Sequence, residues 1–298
     1  MLAELLIHTP SILQALLFAI MLFMGMTLTI SDFKRVAVYP KSVAVGLVNQ
    51  LILLPIIGLV IVKVIPLSTA FAVGVMVVAA SPGGAVSNLI SHLSKGDTAL
   101  SITLTAFSSI LTIITIPLII NWSLRNLAGA GEVAIQLPLL QTIINIFKLT
   151  ALPVAIGMGT NYLFPEATKR AGSIIAWISG IIIILALLLI YVKLDEIGNV
   201  WSFVRQCFLA VLILNVATLA VGYFSARLAG LSLRHSVTTS IETGMQNNVL
   251  GMAIATSPAL LNNSLMAVPA GVYGLLMCTT AVGMIFYYRK LIDDTTEV

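Results

Sequence analysis

The run Glu242-Thr243-Gly244-Met245-Gln246-Asn247-Asn248 puts a carboxylate, a hydroxyl and three side-chain amides on seven consecutive positions inside an otherwise apolar stretch. A carboxylate there is costly unless it is paired, protonated or facing water, so it marks a functional site; a structural Glu, protonated or bonded between helices, is the alternative. A glycine amid polar residues favours an interrupted helix, whose unwound carbonyls join side-chain oxygens as hard ligands. Such ligands suit Na⁺ rather than a transition metal. A second run, Ser81-Pro82-Gly83-Gly84-Ala85-Val86-Ser87-Asn88, carries a matching interruption. Pro82 lacks a donor and clashes with the preceding turn, and two adjacent glycines loosen the backbone beside it.

These runs must be held by membrane helices. The chain has 298 residues, 59% hydrophobic and 9% charged, with a mean hydropathy of +1.09. Those fractions exclude an ordinary soluble domain and a disordered chain. At about 20 apolar residues per crossing, the length accommodates roughly eight to ten spans. Apolar windows place nine, near 10–30, 41–65, 69–92, 97–121, 136–162, 170–193, 203–229, 232–256 and 263–288. Glu4 and His8 precede the first, with no basic segment, so it is expected to be a span and not a cleaved signal. Cys207 and Cys278 lie in apolar runs and suggest neither a disulfide framework nor a metal cluster. The basic residues form no stripe for nucleic acid.

Loops after the odd-numbered spans, with the C-terminal end, hold Lys34, Arg35, Lys41, Lys95, Lys169, Arg170, Arg227, Arg234, Arg289 and Lys290. The other side holds Lys63, Arg125, Lys193 and Arg205, while Lys148 falls within a span. This bias predicts an external N-terminus and a cytoplasmic C-terminus in a multi-pass protein of the plasma membrane. Of the eleven acidic residues, Glu242 alone lies well within a span.

The two interruptions fall in spans three and eight, five apart, and so run in opposite directions. That is an inverted repeat, four spans matched to spans six through nine with span five left over, and it points to a central transport site. The second half of each broken helix aims its free N–H groups at the midplane and favours an anion. Cations and an organic anion can therefore share one cavity. Gln50, beside Asn49, is either a ligand or interhelical glue. Ser101, Thr103 and Thr105 either bond back to their own helix or ligate. Lys148 attracts substrate, pairs with Glu242 or snorkels. Proton coupling through Glu242 is the rival within transport. An intramembrane hydrolase is disfavoured, because His8, His92 and His235 sit at span ends and no second intramembrane carboxylate pairs with Glu242.

Together with Gly25-Met26-Thr27-Leu28-Thr29-Ile30-Ser31-Asp32-Phe33, the two interrupted runs resemble those of the bile acid:sodium symporter family, over about residues 12–288. The resemblance implies an all-α polytopic fold with two broken, crossing helices. A panel (spans one, five and six; about 1–40 and 136–200) would face a six-helix core (about 41–125 and 201–290). It implies one sodium site of Ser87, Asn88, Ser101, Thr105 and Glu242, and a second of Gln50, Glu242 and Gln246 with the carbonyls of Thr243 and Met245. Ala85, Asn247, Met277 and Cys278 would stand at the substrate. Bacterial relatives often have ten spans, and this chain resembles them from their second onward, giving the nine-span arrangement of the animal carriers. Met277 and Cys278 replace a His-Asn pair found in some relatives, so a small acid of the pantoate, ketopantoate or 2-oxo acid type is expected rather than a steroid. The family's chemistry needs no cofactor and no enzymatic step, with two Na⁺ as coupling ions.

Overall fold

Long apolar segments rich in Leu, Ile, Val and Ala satisfy their backbone internally as helices, and the computed structural model, which describes residues 7–127 and 137–296, contains no strand among them. In chain order the helices are α1 (Thr9–Thr27), α2 (Ile30–Lys34), α3 (Pro40–Val48), α4 (Leu54–Val64), α5 (Thr69–Ala80), α6 (Ala85–Leu93) and α7 (Thr98–Asn126). Then follow α8 (Leu139–Leu149), α9 (Ala151–Leu163), α10 (Pro165–Ile197), α11 (Val200–Leu228), α12 (Leu233–Gly244), α13 (Asn248–Thr256) and α14 (Val268–Thr296). A π-helical turn, Asn49–Leu53, joins α3 to α4.

Among the described residues, seven stretches are long and apolar enough to cross a membrane: Thr9–Thr27, Pro40–Val64, Thr98–Asn126, Leu139–Leu163, Trp177–Ile197, Val200–Leu228 and Ser264–Thr295. They coincide with predicted spans one, two, four, five, six, seven and nine. Predicted spans three and eight are instead pairs of short helices, α5 with α6 and α12 with α13, none reaching the length of one crossing. The long helices turn apolar stripes outward: Ile52, Ile56 and Val60; Ile110, Ile114 and Leu118; Ile181, Leu185 and Leu188 are all exposed. Residues three and four apart share a helix face, so each stripe is a face offered to lipid.

α1 packs against α9 and α10, while α11 packs on α12 and α14, and α5 on α4, α7 and α14. The α1–α9 crossing is a backbone contact. A Cβ at Gly25 would lie 2.3 Å from the Val154 carbonyl oxygen, and one at Gly157 would lie 2.2 Å from that of Leu22. Small residues permit this approach in membranes, where close packing drives helix association. The expected panel boundaries at residues 1 and 136 lie outside the described residues.

Candidate functional site

α5 stops at Ala80 because Pro82 cannot continue it, and Ser81, before the proline, leaves the helical region at φ −104°, ψ 83°. α12 stops at Gly244, with Met245 extended at φ −102°, ψ 110°. The two breaks touch. Asn247 N–H donates to the Ser81 carbonyl at 3.1 Å. A Cβ on Gly83 would stand 2.7 Å from the Met245 carbonyl oxygen, so only glycine permits this approach. Asn247 also caps α13, its Oδ1 accepting from Leu250 N–H at 3.0 Å.

Glu242 sits beside this junction and is fully buried. Ser101 Oγ donates to its Oε1, and Thr105 Oγ1 donates to its Oε2 at 3.0 Å. Both hydroxyls also lie near Asn88 Oδ1, at 2.8 Å and 3.3 Å. Each hydroxyl has one proton, so the five oxygens of Asn88, Ser101, Thr105 and Glu242 share two. Ser101 and Thr105 are one turn apart on the same face of α7. Thr103, between them, turns away and donates to the carbonyls of Ala99 and Asp32, which settles it as a back-bonding residue. Ser87 is buried against the same carboxylate, with its Oγ donating to the Gly84 carbonyl at 2.7 Å.

Residues expected in the second set meet around the end of α12. Gln50 Nε2 donates to the Glu242 carbonyl at 2.9 Å, and Gln246 Nε2 to the Thr243 carbonyl at 2.7 Å. Their Oε1 atoms are buried and have no hydrogen-bond partner among the described residues. Buried acceptors are normally paired, so these two amide oxygens are exceptions within the oxygen-rich end of α12. Asn49, by contrast, donates to Ser225 Oγ on α11 at 2.8 Å and is interhelical glue. The ion pairs of the described residues join Asp32 to Arg35, Lys95 to Asp293, Lys193 to Glu196 and Asp97 to His235, leaving Glu242 outside them. Lys148 is exposed near the end of α8 and belongs to neither set. Among the described residues no three His, Cys, Asp or Glu side chains form a metal cluster.

A small cavity of about 40 Å³ adjoins the breaks. Gly84, Ser87 and residues 245–248 line its polar side, facing Ile20 of α1 and Ser179 and Ile183 of α10. Asn247 and Met277 both line this cavity. Cys278 is exposed and is not among the residues that line the cavity. The side chain of Ala85 lies outside what the structure describes. Asn248 belongs to the polar run marked in the sequence without a role of its own, whereas Asn215 and Tyr273 were not singled out. Asn248 lines the cavity with an unpartnered Oδ1, while Asn215 Nδ2 and Tyr273 Oη donate to the freed Gly244 carbonyl at 3.3 Å and 2.7 Å. An amide alone in the run Leu212-Ile213-Leu214-Asn215-Val216 was the available signal for Asn215.

Fold and site together define a polytopic helical membrane protein in which two broken helices meet at a buried, oxygen-rich anionic centre. The chain belongs to the Sodium Bile acid symporter family, whose model matches residues 14–199. It is 32% identical to the probable sodium/metabolite cotransporter BASS2, chloroplastic, of Oryza sativa subsp. japonica, over 91% of this chain and 62% of that protein. It is 27% identical to the uncharacterized sodium-dependent transporter YocS of Bacillus subtilis, over 91% and 81%. Identity to the human ileal sodium/bile acid cotransporter is 28%, over 80% and 67%. The chain spans about three fifths of the length of the chloroplast relatives.

Proposed function

We propose that the protein is a sodium-coupled symporter of a small organic anion. The observation that carries this is Glu242: a fully buried carboxylate without a cationic partner among the described residues, in a shell with more oxygens than protons. Such a charge needs a bound cation or a proton, since an unpaired buried ion costs several kcal/mol. Two Na⁺, one on each ligand set, exceed the charge of Glu242 by one. A monocarboxylate beside Asn247, Asn248 and Met277 cancels the excess. The narrow cavity and its apolar walls of Ile20, Val86, Ile183 and Val249 favour a short, aliphatic acid over a steroid. The relatives named for sodium cotransport support the same coupling.

Seven long helices and two broken pairs give nine crossings, with the N-terminus outside and the C-terminus in the cytoplasm of a bacterial inner membrane. The cavity lies between α1 and α10 on one side and the broken helices on the other, so access alternates as a core of α3–α7 and α11–α14 moves against a panel of α1 and α8–α10. Each transport cycle delivers two Na⁺ and one monoanion, one net positive charge, worth about 2.3 kcal/mol per 100 mV. The test is uptake of radiolabelled pantoate, with taurocholate in parallel, into proteoliposomes. Pantoate uptake and an inward current that vanish when choline replaces Na⁺ at fixed pH are expected. Undiminished uptake in choline, driven by a pH gradient, would overturn sodium coupling in favour of proton coupling.

A further inference from the structure

The three helices that surround Glu242 are tied together a second time, at their shared starting end. His235, in the first turns of α12, has Nε2 3.2 Å from Asp97 Oδ2 and Nδ1 2.9 Å from Ser42 Oγ. With its hydrogen on Nε2 the ring donates to the carboxylate and accepts from the hydroxyl, so both nitrogens are used. Asp97 is the N-cap of α7, accepting from Leu100 N–H at 2.9 Å, and its own N–H donates to Thr238 Oγ1 of α12 at 2.7 Å. Tyr39 lies edge-on to the imidazole, with ring centroids 5.1 Å apart. The hydrogen bond from His235 is the chief reason the Asp97 carboxyl is held below its ordinary value of 3.8, against the opposing effect of partial burial. This Ser–His–Asp chain is not a nucleophilic triad: Ser42 is buried, at 4% exposure, where no substrate carbonyl reaches it.

Its meaning lies in where the helices go next. From Ser42 to Gln50 is eight residues, from Asp97 to Thr105 eight, and from His235 to Glu242 seven. At 1.5 Å per residue, all three arrive at the oxygen shell about 10–12 Å further on. There they are joined again, Gln50, Ser101 and Thr105 each bonding to Glu242. Three parallel struts with one set of rungs can slide and twist; a second set fixes their height and rotation.

We propose that His235 is a positioning residue for the sodium sites, holding α3, α7 and α12 through Ser42 and Asp97 in the register that closes the shell around Glu242. The inference rests on the sodium reading of that shell. Groups that orient ligands without touching the ion commonly change its affinity by tenfold or more when removed.

The test is a NaCl titration of the melting temperature of the purified full-length protein, with choline chloride keeping ionic strength constant. In His235→Leu the half-saturating Na⁺ concentration rises about tenfold while the maximal Na⁺-induced stabilisation is retained. His235→Gln keeps an N–H and an acceptor oxygen and brings the value back toward that of the parent. Ser42→Ala, a milder change in case His235→Leu does not fold, gives a smaller rise and adds nothing on top of His235→Leu. Parent-like half-saturation in His235→Leu, with Glu242→Gln abolishing the response, overturns this inference alone. So does a fall in Na⁺-free stability in His235→Leu and Ser42→Ala with half-saturation unmoved. A parent protein that Na⁺ does not stabilise overturns the sodium reading and this inference with it.

Discussion

α5 and α12 are both twelve-residue helices that begin at a serine cap, Ser68 and Ser232, end in a short extended break, and are followed by nine-residue helices. Their contents differ. From Phe71 to Ala80 α5 buries an unbroken apolar run, while α12 buries Ser236, Thr238, Thr239, Ser240, Glu242 and Thr243. The first break is made by Pro-Gly-Gly, which supplies shape and lets another backbone approach closely. The second is made by Gly-Met-Gln-Asn, which supplies shape together with side-chain oxygens. One geometry has thus been used twice, once to admit a neighbour's backbone and once to hold charge. Damage to the first should register mainly in stability, damage to the second in ion binding.

Gly83→Val is the harshest way to break that division. Its Cβ would meet the Met245 carbonyl oxygen at 2.7 Å, and a backbone atom cannot swing aside. The expected cost is about 1–3 kcal/mol, typical of overpacking, read as a lower melting temperature with and without Na⁺. Gln246→Ala should leave the melting temperature in choline close to that of the parent and raise half-saturating Na⁺ about fivefold, as loss of one ligand oxygen worth about 1 kcal/mol implies. Thr103→Val sharpens the comparison from the other side. It removes bonds to Ala99 and Asp32 on the face of α7 away from Glu242, so stability falls by about 1 kcal/mol or less and Na⁺ half-saturation does not move.

Much of the site was legible because polarity is expensive in a bilayer. Glu242, Gln246, Ser87 and Asn88 stand out against apolar surroundings, and the proline and glycines of the first break mark where its helix must stop. Ser101 and Thr105 could be paired by their four-residue spacing, but the sequence did not separate them from Thr103, because helix phase relative to a partner is a tertiary property. The same limit explains Cys278. Neighbours on a helix point about 100° apart, so Met277 faces the cavity and Cys278 faces outward. Asn215 and Tyr273 were missed because a lone amide or phenol in a span is as readily interhelical glue as part of a site. The link from Ser42 through His235 to Asp97 was beyond reach, since its members lie at the ends of three different helices, with sequence separations of 193 and 138 residues.

Equilibrium binding of radiolabelled Na⁺ to the purified parent protein and to Glu242→Gln tests the centre of this account most directly. The substitution keeps the size and shape of the side chain while removing its buried charge. The account predicts saturable binding approaching two Na⁺ per chain in the parent, and its loss in the variant at the same Na⁺ concentrations. Equal binding by both proteins, or none by the parent, would contradict it.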